Sequence, residues 1–146
     1  MCGIAGIIDH PGIGSGGMRR MLAALAHRGP DGEGVEQDAG AVLGHRRLSI
    51  IDLEGGRQPL VNASGTLWLV CNGEIYNYRE IRADMERRGY RFLTGSDCEV
   101  ILALYEHYGD ELLTHLRGMF AFALWDRSRR RLLAARDHLG QKPFYY

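Results

Sequence analysis

The sequence predicts an α+β domain, in which short strands and helices follow one another along 146 residues. Two observations lead to this prediction. Apolar runs rich in β-branched and aromatic residues have the length of strands, whereas other apolar residues recur with the 3.6-residue period of a helix. Their order is roughly β, α, β, β, α, α, β, β, and no repeat or linker divides it. This length corresponds to one domain.

The first half of the chain is predicted to contain three strands and one helix. Met18 to Leu25 form the helix, because apolar residues occur there at i, i+3, i+4 and i+7. The Asn72-Gly73 pair after the third strand is typical of a tight turn. The predicted strands are residues 4–9, residues 41–51 with a polar interruption at 44–47, and residues 67–71.

The second half is predicted to contain helical segments and then a hairpin. Ser96 or Asp97 is expected to cap the second of the helices. The helical segments are residues 78–89, 97–108 and 112–116, and the strands are residues 90–93, 119–125, 131–136 and 143–146. The arginines at 127–131 lie between the two hairpin strands, which favours a solvated turn over a binding patch.

Composition excludes several classes of function. Eighteen basic and eighteen acidic side chains balance, so no overall charge favours nucleic acid or an anionic membrane as a partner. Three cysteines without paired spacing indicate a reducing compartment, and the six histidines show no metal-ligand spacing. No signal segment or long apolar run is present. We therefore expect a soluble cytoplasmic domain without a metal site.

The second residue is a candidate nucleophile. Methionine before a small residue is normally removed, and removal of Met1 would leave Cys2 with both a thiol and a free α-amine. The α-amine, whose reference pKa is about 7.7–8.0, could serve as the base that activates the thiol. Cys98 is a weaker candidate in the first turn of a helix, and Cys71 is expected to be a buried apolar residue.

Three further positions could complete a site for acyl transfer. Asn72-Gly73 offers a side-chain amide beside a main-chain N–H, which suits an oxyanion hole, although an ordinary turn is the alternative. Arg47 could bind a carboxylate, or could be an exposed residue at a strand edge. Asp97 could bind an ammonium group, or could cap a helix. Together these groups would suit a free amino acid with an acyl-type side chain, such as glutamine.

Six motifs, in this order, extend the interpretation. They are Met-Cys-Gly-Ile-Ala-Gly at 1–6, His-Arg-Gly-Pro-Asp-Gly at 27–32, Gly-His-Arg-Arg-Leu-Ser-Ile-Ile-Asp at 44–52, Asn-Gly-Glu-Ile-Tyr-Asn at 72–77, Thr-Gly-Ser-Asp-Cys-Glu at 94–99, and Arg-Asp-His-Leu-Gly at 136–140. In these motifs the chain resembles the glutaminase domain of glutamine-dependent asparagine synthetases, which are class II amidotransferases of the N-terminal-nucleophile type.

The resemblance implies a role for each matching residue. Cys2 would attack the glutamine amide, and the Asn72 side chain and Gly73 N–H would form the oxyanion hole. Arg47 would bind the α-carboxylate of glutamine, while Glu74 and Asp97 would bind its α-amino group. The segment from Arg47 through Leu48, Ser49, Ile50 and Ile51 would line the pocket. The implied fold is a four-layer α/β/β/α sandwich.

The resemblance also implies what lies outside this chain. The family's glutaminase domain is longer, so residues 1–146 are expected to be an incomplete amidotransferase domain. A synthetase domain would use ATP and Mg²⁺ to amidate aspartate with the released ammonia, and this chain itself would need no cofactor. The motifs leave open another carboxylate acceptor, a non-catalytic or regulatory glutamine-binding module, and a homodimer as one state of assembly.

Overall fold

The computed structural model describes residues 1–9, 15–48 and 56–146, which form two antiparallel sheets with helices on their outer faces. The strands are β1 (Gly3–Ile8), β2 (Gly32–Gln37), β3 (Ala41–Arg47), β4 (Leu60–Val61), β5 (Leu67–Ile75), β6 (Gly118–Asp126) and β7 (Arg131–Arg136). The α-helices are α1 (Ser15–Ala24), α2 (Tyr78–Arg87) and α3 (Val100–Tyr108), and 3₁₀ turns cover Ala26–Arg28, Asp97–Glu99 and Gly109–His115.

Strand order places three strands, β3, β5 and β6, in the interior of their sheets. The first sheet has the order β1-β3-β2 and the second has the order β4-β5-β6-β7. β3 therefore has a partner on both sides, and β1 pairs with it so that Gly3 lies opposite Arg46. β5 pairs with β6 along its whole length, from Leu67 opposite Asp126 to Ile75 opposite Gly118. The start of β1 and the end of β5 both lie beside the site described below.

The layers follow from the alternation of side chains along β5. Trp68 and Val70 point between the sheets, where they pack with Leu43 of β3 and Trp125 of β6. The odd-numbered residues of β5, such as Leu69, pack instead in the cluster that α2 and α3 contribute to. On the other side, Met18 and Leu22 of α1 pack against Ala5 and Val42. The result is the predicted four-layer α/β/β/α arrangement.

Most predicted elements are confirmed, including the first strand, the three main helices and the hairpin at 118–136. Two strands were missed. β2 alternates glycine and charged residues with only Val35 as an apolar member, and β4 is two residues long. In the predicted first helix, Met21 is exposed rather than buried. Ser96, not Asp97, is the residue that caps the turn before α3.

Three predictions about strands were wrong. Residues 44–47 do not interrupt a strand, because they belong to β3, and His45 and Arg47 on it are buried. No strand forms at 90–93 or at 143–146. Residues 49–51, the end of the predicted second strand, lie outside the described residues. No helix in the described ranges combines the length and apolarity that a membrane span requires.

Candidate active site

Cys2 immediately precedes β1, and its position is fixed through both its thiol and its main chain. The Leu48 N–H, at the end of the neighbouring β3, lies 3.4 Å from Cys2 Sγ and donates to it. The Arg28 Nε donates to the Cys2 carbonyl oxygen at 3.2 Å. Cys2 is only partly buried, so its sulfur remains accessible from the adjoining cavity.

The motif at 27–32 explains how Arg28 reaches Cys2. Gly29 lies directly against the main chain of Arg46 and Arg47, and a Cβ atom there would overlap that backbone. The Asp31 N–H then donates to the Arg47 carbonyl at 3.0 Å. Because only glycine permits this close approach, the loop can bind the end of β3 and bring Arg28 to the Cys2 carbonyl.

A cavity of about 300 Å³ adjoins Cys2 and brings most of the predicted site together. Its lining includes the predicted residues Cys2, Arg47, Leu48, Asn72, Gly73, Glu74 and Asp97. The volume is at the lower end of the range for small-ligand sites. Ser49, Ile50 and Ile51, which were also predicted to line the pocket, lie outside the described residues.

One edge of β5 faces this cavity because β4 is so short. β4 pairs with β5 only at Trp68 and Leu69. Beyond that point side chains replace the missing strand: Cys71 N–H donates to Gln58 Oε1 at 2.6 Å, and Ile75 N–H donates to Asp97 Oδ2 at 2.8 Å. Main-chain groups of alternate residues point to the same edge of a strand. The Gly73 N–H is therefore directed to this edge, between the two.

Asn72 and Gly73 lie inside β5, so the prediction of a tight turn is wrong. Gly73 lies opposite Phe120, and a Cβ atom on it would overlap the Met119 carbonyl oxygen and the Phe120 main chain. Glycine is thus required here by the close approach of β6, not by a left-handed turn. The neighbouring Asn72 side chain is buried and lines the cavity.

The alternatives for Arg47 and Asp97 are also excluded. Arg47 lies on the central strand of its sheet and is 8% exposed, so it is not an exposed residue at a strand edge. Asp97 does not cap the turn before α3, because Ser96 Oγ accepts the Cys98 N–H at 3.3 Å. Both charged side chains line the cavity, where they could bind the opposite charges of an amino acid.

A family model described as a glutamine amidotransferase domain matches residues 1–146. The chain belongs to this family. The amidotransferase domain is 46% identical over 151 residues to asparagine synthetase [glutamine-hydrolyzing] 1 of Bacillus subtilis (strain 168), covering 100% of this chain and 24% of that protein. It is 48% identical over 149 residues to asparagine synthetase B [glutamine-hydrolyzing] of Escherichia coli (strain K12), covering 99% of this chain and 26% of that protein. The chain thus spans about a quarter of the length of these relatives.

The fold of the amidotransferase domain is similar to that of a solved relative. Glutamine phosphoribosylpyrophosphate amidotransferase from B. subtilis, in complex with ADP and GMP, superposes with a TM-score of 0.66 at 25% identity. The match covers 93% of this chain and 36% of that chain. The predicted α+β fold of the N-terminal-nucleophile type is therefore confirmed.

The other two cysteines of the amidotransferase domain are buried. A hydrogen bond with Cys71, together with burial and the nearby Asp97 carboxylate, raises the pKa of Cys98 well above its ordinary value. The Cys98 thiol therefore stays protonated, which argues against it as the nucleophile. Cys71 is a buried apolar residue, as predicted.

Sequence reasoning missed four polar residues that also line the cavity, namely His45, Gln58, Ser96 and Lys142. Gln58 lies in a segment without periodicity, and Lys142 lies just after a motif. Its Nζ lies 3.3 Å from the Met1 Sδ atom. No pattern in the sequence separates Gln58 and Lys142 from ordinary surface groups, whereas His45 and Ser96 lie within the motifs at 44–52 and 94–99. Within the described ranges, no group of three or more His, Cys, Asp or Glu side chains is arranged to hold a metal ion.

Asp137 organises the loop that carries Lys142 to the cavity. Its buried carboxylate accepts main-chain N–H groups from Phe120 at 3.2 Å, Leu139 at 3.1 Å, Gln141 at 2.9 Å and Lys142 at 3.0 Å. Burial raises the pKa of Asp137, but these four hydrogen bonds outweigh burial and hold the pKa below its ordinary value of 3.8. Asp137 thus stays ionised and links the loop to β6.

We expect Asp137→Asn to lower the free energy of unfolding at pH 7 by about 1–3 kcal/mol, because part of a buried set of charge-assisted hydrogen bonds is lost. A depressed pKa contributes stability that is present above the unfolded value of 3.8 and is lost as pH falls through the folded pKa. Urea titrations at pH 7, 4 and 3 should therefore show a smaller pH dependence in the variant. Glu86→Gln, at an exposed position, is the control. An unchanged pH dependence in Asp137→Asn would contradict this account.

Proposed function

We propose that this domain hydrolyses L-glutamine with Cys2 as an N-terminal nucleophile, and that the released ammonia serves a synthetase domain elsewhere in the full protein. The observation that carries the proposal is the convergence, on one cavity, of the Cys2 thiol, the open edge of β5 at Gly73, and the oppositely charged Arg47 and Asp97. Each of these groups corresponds to one requirement of amide hydrolysis.

The first step is activation of the thiol. Met1 is 55% exposed, so it is accessible for removal, and removal would expose the α-amine of Cys2. That amine would take the thiol proton, and the thiolate would attack the carboxamide carbon of glutamine. The hydrogen bonds from Leu48 to the sulfur and from Arg28 to the Cys2 carbonyl support this role, because they fix the direction of attack.

The second step is stabilisation of the tetrahedral intermediate. Its oxyanion would accept hydrogen bonds from the Asn72 side-chain amide and from the Gly73 N–H at the open edge of β5. The Cys2 ammonium would then return its proton to the leaving nitrogen, so that ammonia departs and a γ-glutamyl thioester remains on the sulfur. Water would hydrolyse the thioester to glutamate and regenerate the thiol.

Substrate binding uses the charges at the two sides of the cavity. Arg47 would bind the α-carboxylate of glutamine through its planar guanidinium group. Asp97 and Glu74 would bind the α-ammonium group. Asp97 is held for this role by the Ile75 N–H, which donates to its Oδ2 at 2.8 Å. Leu48 would complete the wall, together with residues 49–51, which lie outside the described residues.

The acceptor of the ammonia is aspartate in this proposal. The two relatives named above are glutamine-hydrolysing asparagine synthetases, and they are 46% and 48% identical to this chain over essentially its whole length. ATP and Mg²⁺ would act in the synthetase domain, whereas the chemistry at Cys2 needs no cofactor. The full protein would on this basis convert aspartate to asparagine.

The experiment compares two forms of the chain that are separated by mass, one beginning at Cys2 and one retaining Met1. We expect the first to release glutamate and ammonia from glutamine in equal amounts, and the second to be slower by about 10²–10⁴-fold, because a peptide nitrogen cannot act as the base. Equal rates would contradict the role of the α-amine. No hydrolysis by either form would favour a non-catalytic glutamine-binding module.

A further inference from the structure

His45 is a buried polar residue of the cavity that the proposed mechanism does not use. It lies on the central strand β3 and is 1% exposed. It alternates with Ala41 and Leu43, so it is on the face of β3 that packs against the second sheet. The Cys71 carbonyl on β5 acts on this imidazole as a hydrogen-bond acceptor, which raises the pKa of His45. The ring nitrogen Nε2 has no hydrogen-bond partner among the residues the structure describes.

This arrangement fixes the chemistry that Nε2 presents. Because Nε2 has no partner among the described residues, we assign the ring proton to Nδ1, with the Cys71 carbonyl as its acceptor, so that Nε2 carries the lone pair of a neutral imidazole. The pKa of His45 is lowered to about 4, mainly by burial and further by the charge of Arg47, while the Cys71 carbonyl opposes this shift. At neutral pH, Nε2 is thus a buried acceptor, and a buried acceptor without a donor costs free energy.

The open edge of β5 indicates which donor this acceptor would meet. Along that edge, the Cys71 carbonyl lies by His45, the Gly73 N–H comes next, and the Ile75 N–H donates to Asp97. Alternate residues of a strand are roughly 6.7 Å apart. A glutamine with its ammonium at Asp97 and its carbonyl oxygen at Gly73 would direct its amide nitrogen away from Asp97, toward His45.

We propose that His45 Nε2 accepts a hydrogen bond from the carboxamide NH₂ of glutamine and thereby makes the site specific for an amide. This inference rests on the proposed function. Glutamate at neutral pH has no proton on its γ-carboxylate to donate, and a carboxylate oxygen would face the Nε2 lone pair. The same contact therefore favours binding of the substrate and release of the product.

The kinetic test separates this role from a merely structural one by changing the substrate. The γ-methyl ester of glutamate has the same acyl group as glutamine but no N–H at the leaving group. In His45→Leu we expect kcat/KM for glutamine to fall by roughly ten- to a hundredfold, because a buried NH₂ loses its acceptor. The value for the ester should change by less than about threefold. His45→Gln retains a donor and an acceptor and should recover part of the glutamine activity.

Other kinetic outcomes would overturn the inference. An equal fall for glutamine and for the ester would mean that His45 only holds Cys71 and the adjoining Asn72 in place. An unchanged value for glutamine would mean that Nε2 does not contact the amide. If the unaltered chain hydrolyses neither substrate, the proposed function fails, and this inference fails with it.

A binding measurement keeps the test independent of whether a His45 variant folds. In a Cys2→Ala chain labelled with ¹⁵N-histidine, saturating glutamine should move the Nε2 resonance of His45 upfield, as expected when a pyridine-type nitrogen accepts a hydrogen bond. Glutamate should not produce this shift. An Nε2 resonance that does not respond to bound glutamine would overturn the proposal.

Discussion

Cys2→Ala is expected to abolish glutamine hydrolysis, with a loss of at least about 10³-fold in kcat, because no other group can form the γ-glutamyl thioester. The two remaining thiols are buried, and the pKa of Cys98 is raised well above its ordinary value. The variant should nevertheless fold, because Cys2 precedes β1 and is not part of its pairing. Ammonia release from glutamine is the measurement.

Cys98→Ala is the matched control, since it removes a thiol that lines the same cavity. Cys98→Ala should hydrolyse glutamine at a rate within a few-fold of that of the unaltered chain. It should have a somewhat lower free energy of unfolding, because the substitution leaves a cavity in the core. If Cys98→Ala rather than Cys2→Ala lost hydrolysis, the assignment of the nucleophile would be wrong.

Asn72→Ala is expected to lower kcat by about 10²–10³-fold and to leave KM nearly unchanged, because the lost amide donates most strongly to the oxyanion of the transition state. The Asn72 side chain is buried at the cavity, directly before the Gly73 N–H. Initial rates across a range of glutamine concentrations would separate kcat from KM.

Asn77→Ala provides the comparison for that variant. Asn77 binds the 3₁₀ segment through the His115 carbonyl at 2.9 Å and the Arg117 N–H at 3.0 Å, and it does not line the cavity. Asn77→Ala should lower the free energy of unfolding without a large change in kcat. A rise in KM with unchanged kcat in Asn72→Ala would show that Asn72 binds the substrate and does not stabilise the oxyanion.

The sequence was sufficient to predict the layers of the fold, through its resemblance to a family, and seven of the residues that line the cavity. Helical periodicity identified α1 to α3, and the order of motifs identified Cys2, Arg47, Asn72 and Asp97 together. These predictions depend on local patterns or on residue types in a fixed order, which can be recognised without knowing which strands are neighbours.

The features that the sequence did not predict depend on which strands pair with each other. Asn72-Gly73 has the local preference of a turn, but pairing with β6 overrides it, and the requirement for glycine comes from the main chain at Met119. His45 resembled a polar interruption of a strand, because its burial and its contact with the Cys71 carbonyl depend on distant parts of the chain. β2 was missed because an edge strand with small and charged residues lacks a clear apolar face.

The most direct test of the account is intact mass after exposure to a glutamine analogue that carries a diazo-ketone electrophile. A chain that lacks Met1 should gain one adduct, and peptide mapping should locate it on Cys2. Excess glutamine should slow the reaction, and Cys2→Ala should remain unmodified. A chain that has lost Met1 and gains no adduct, or gains it at Cys71 or Cys98, would contradict the assignment of Cys2 as the nucleophile of a formed glutamine site.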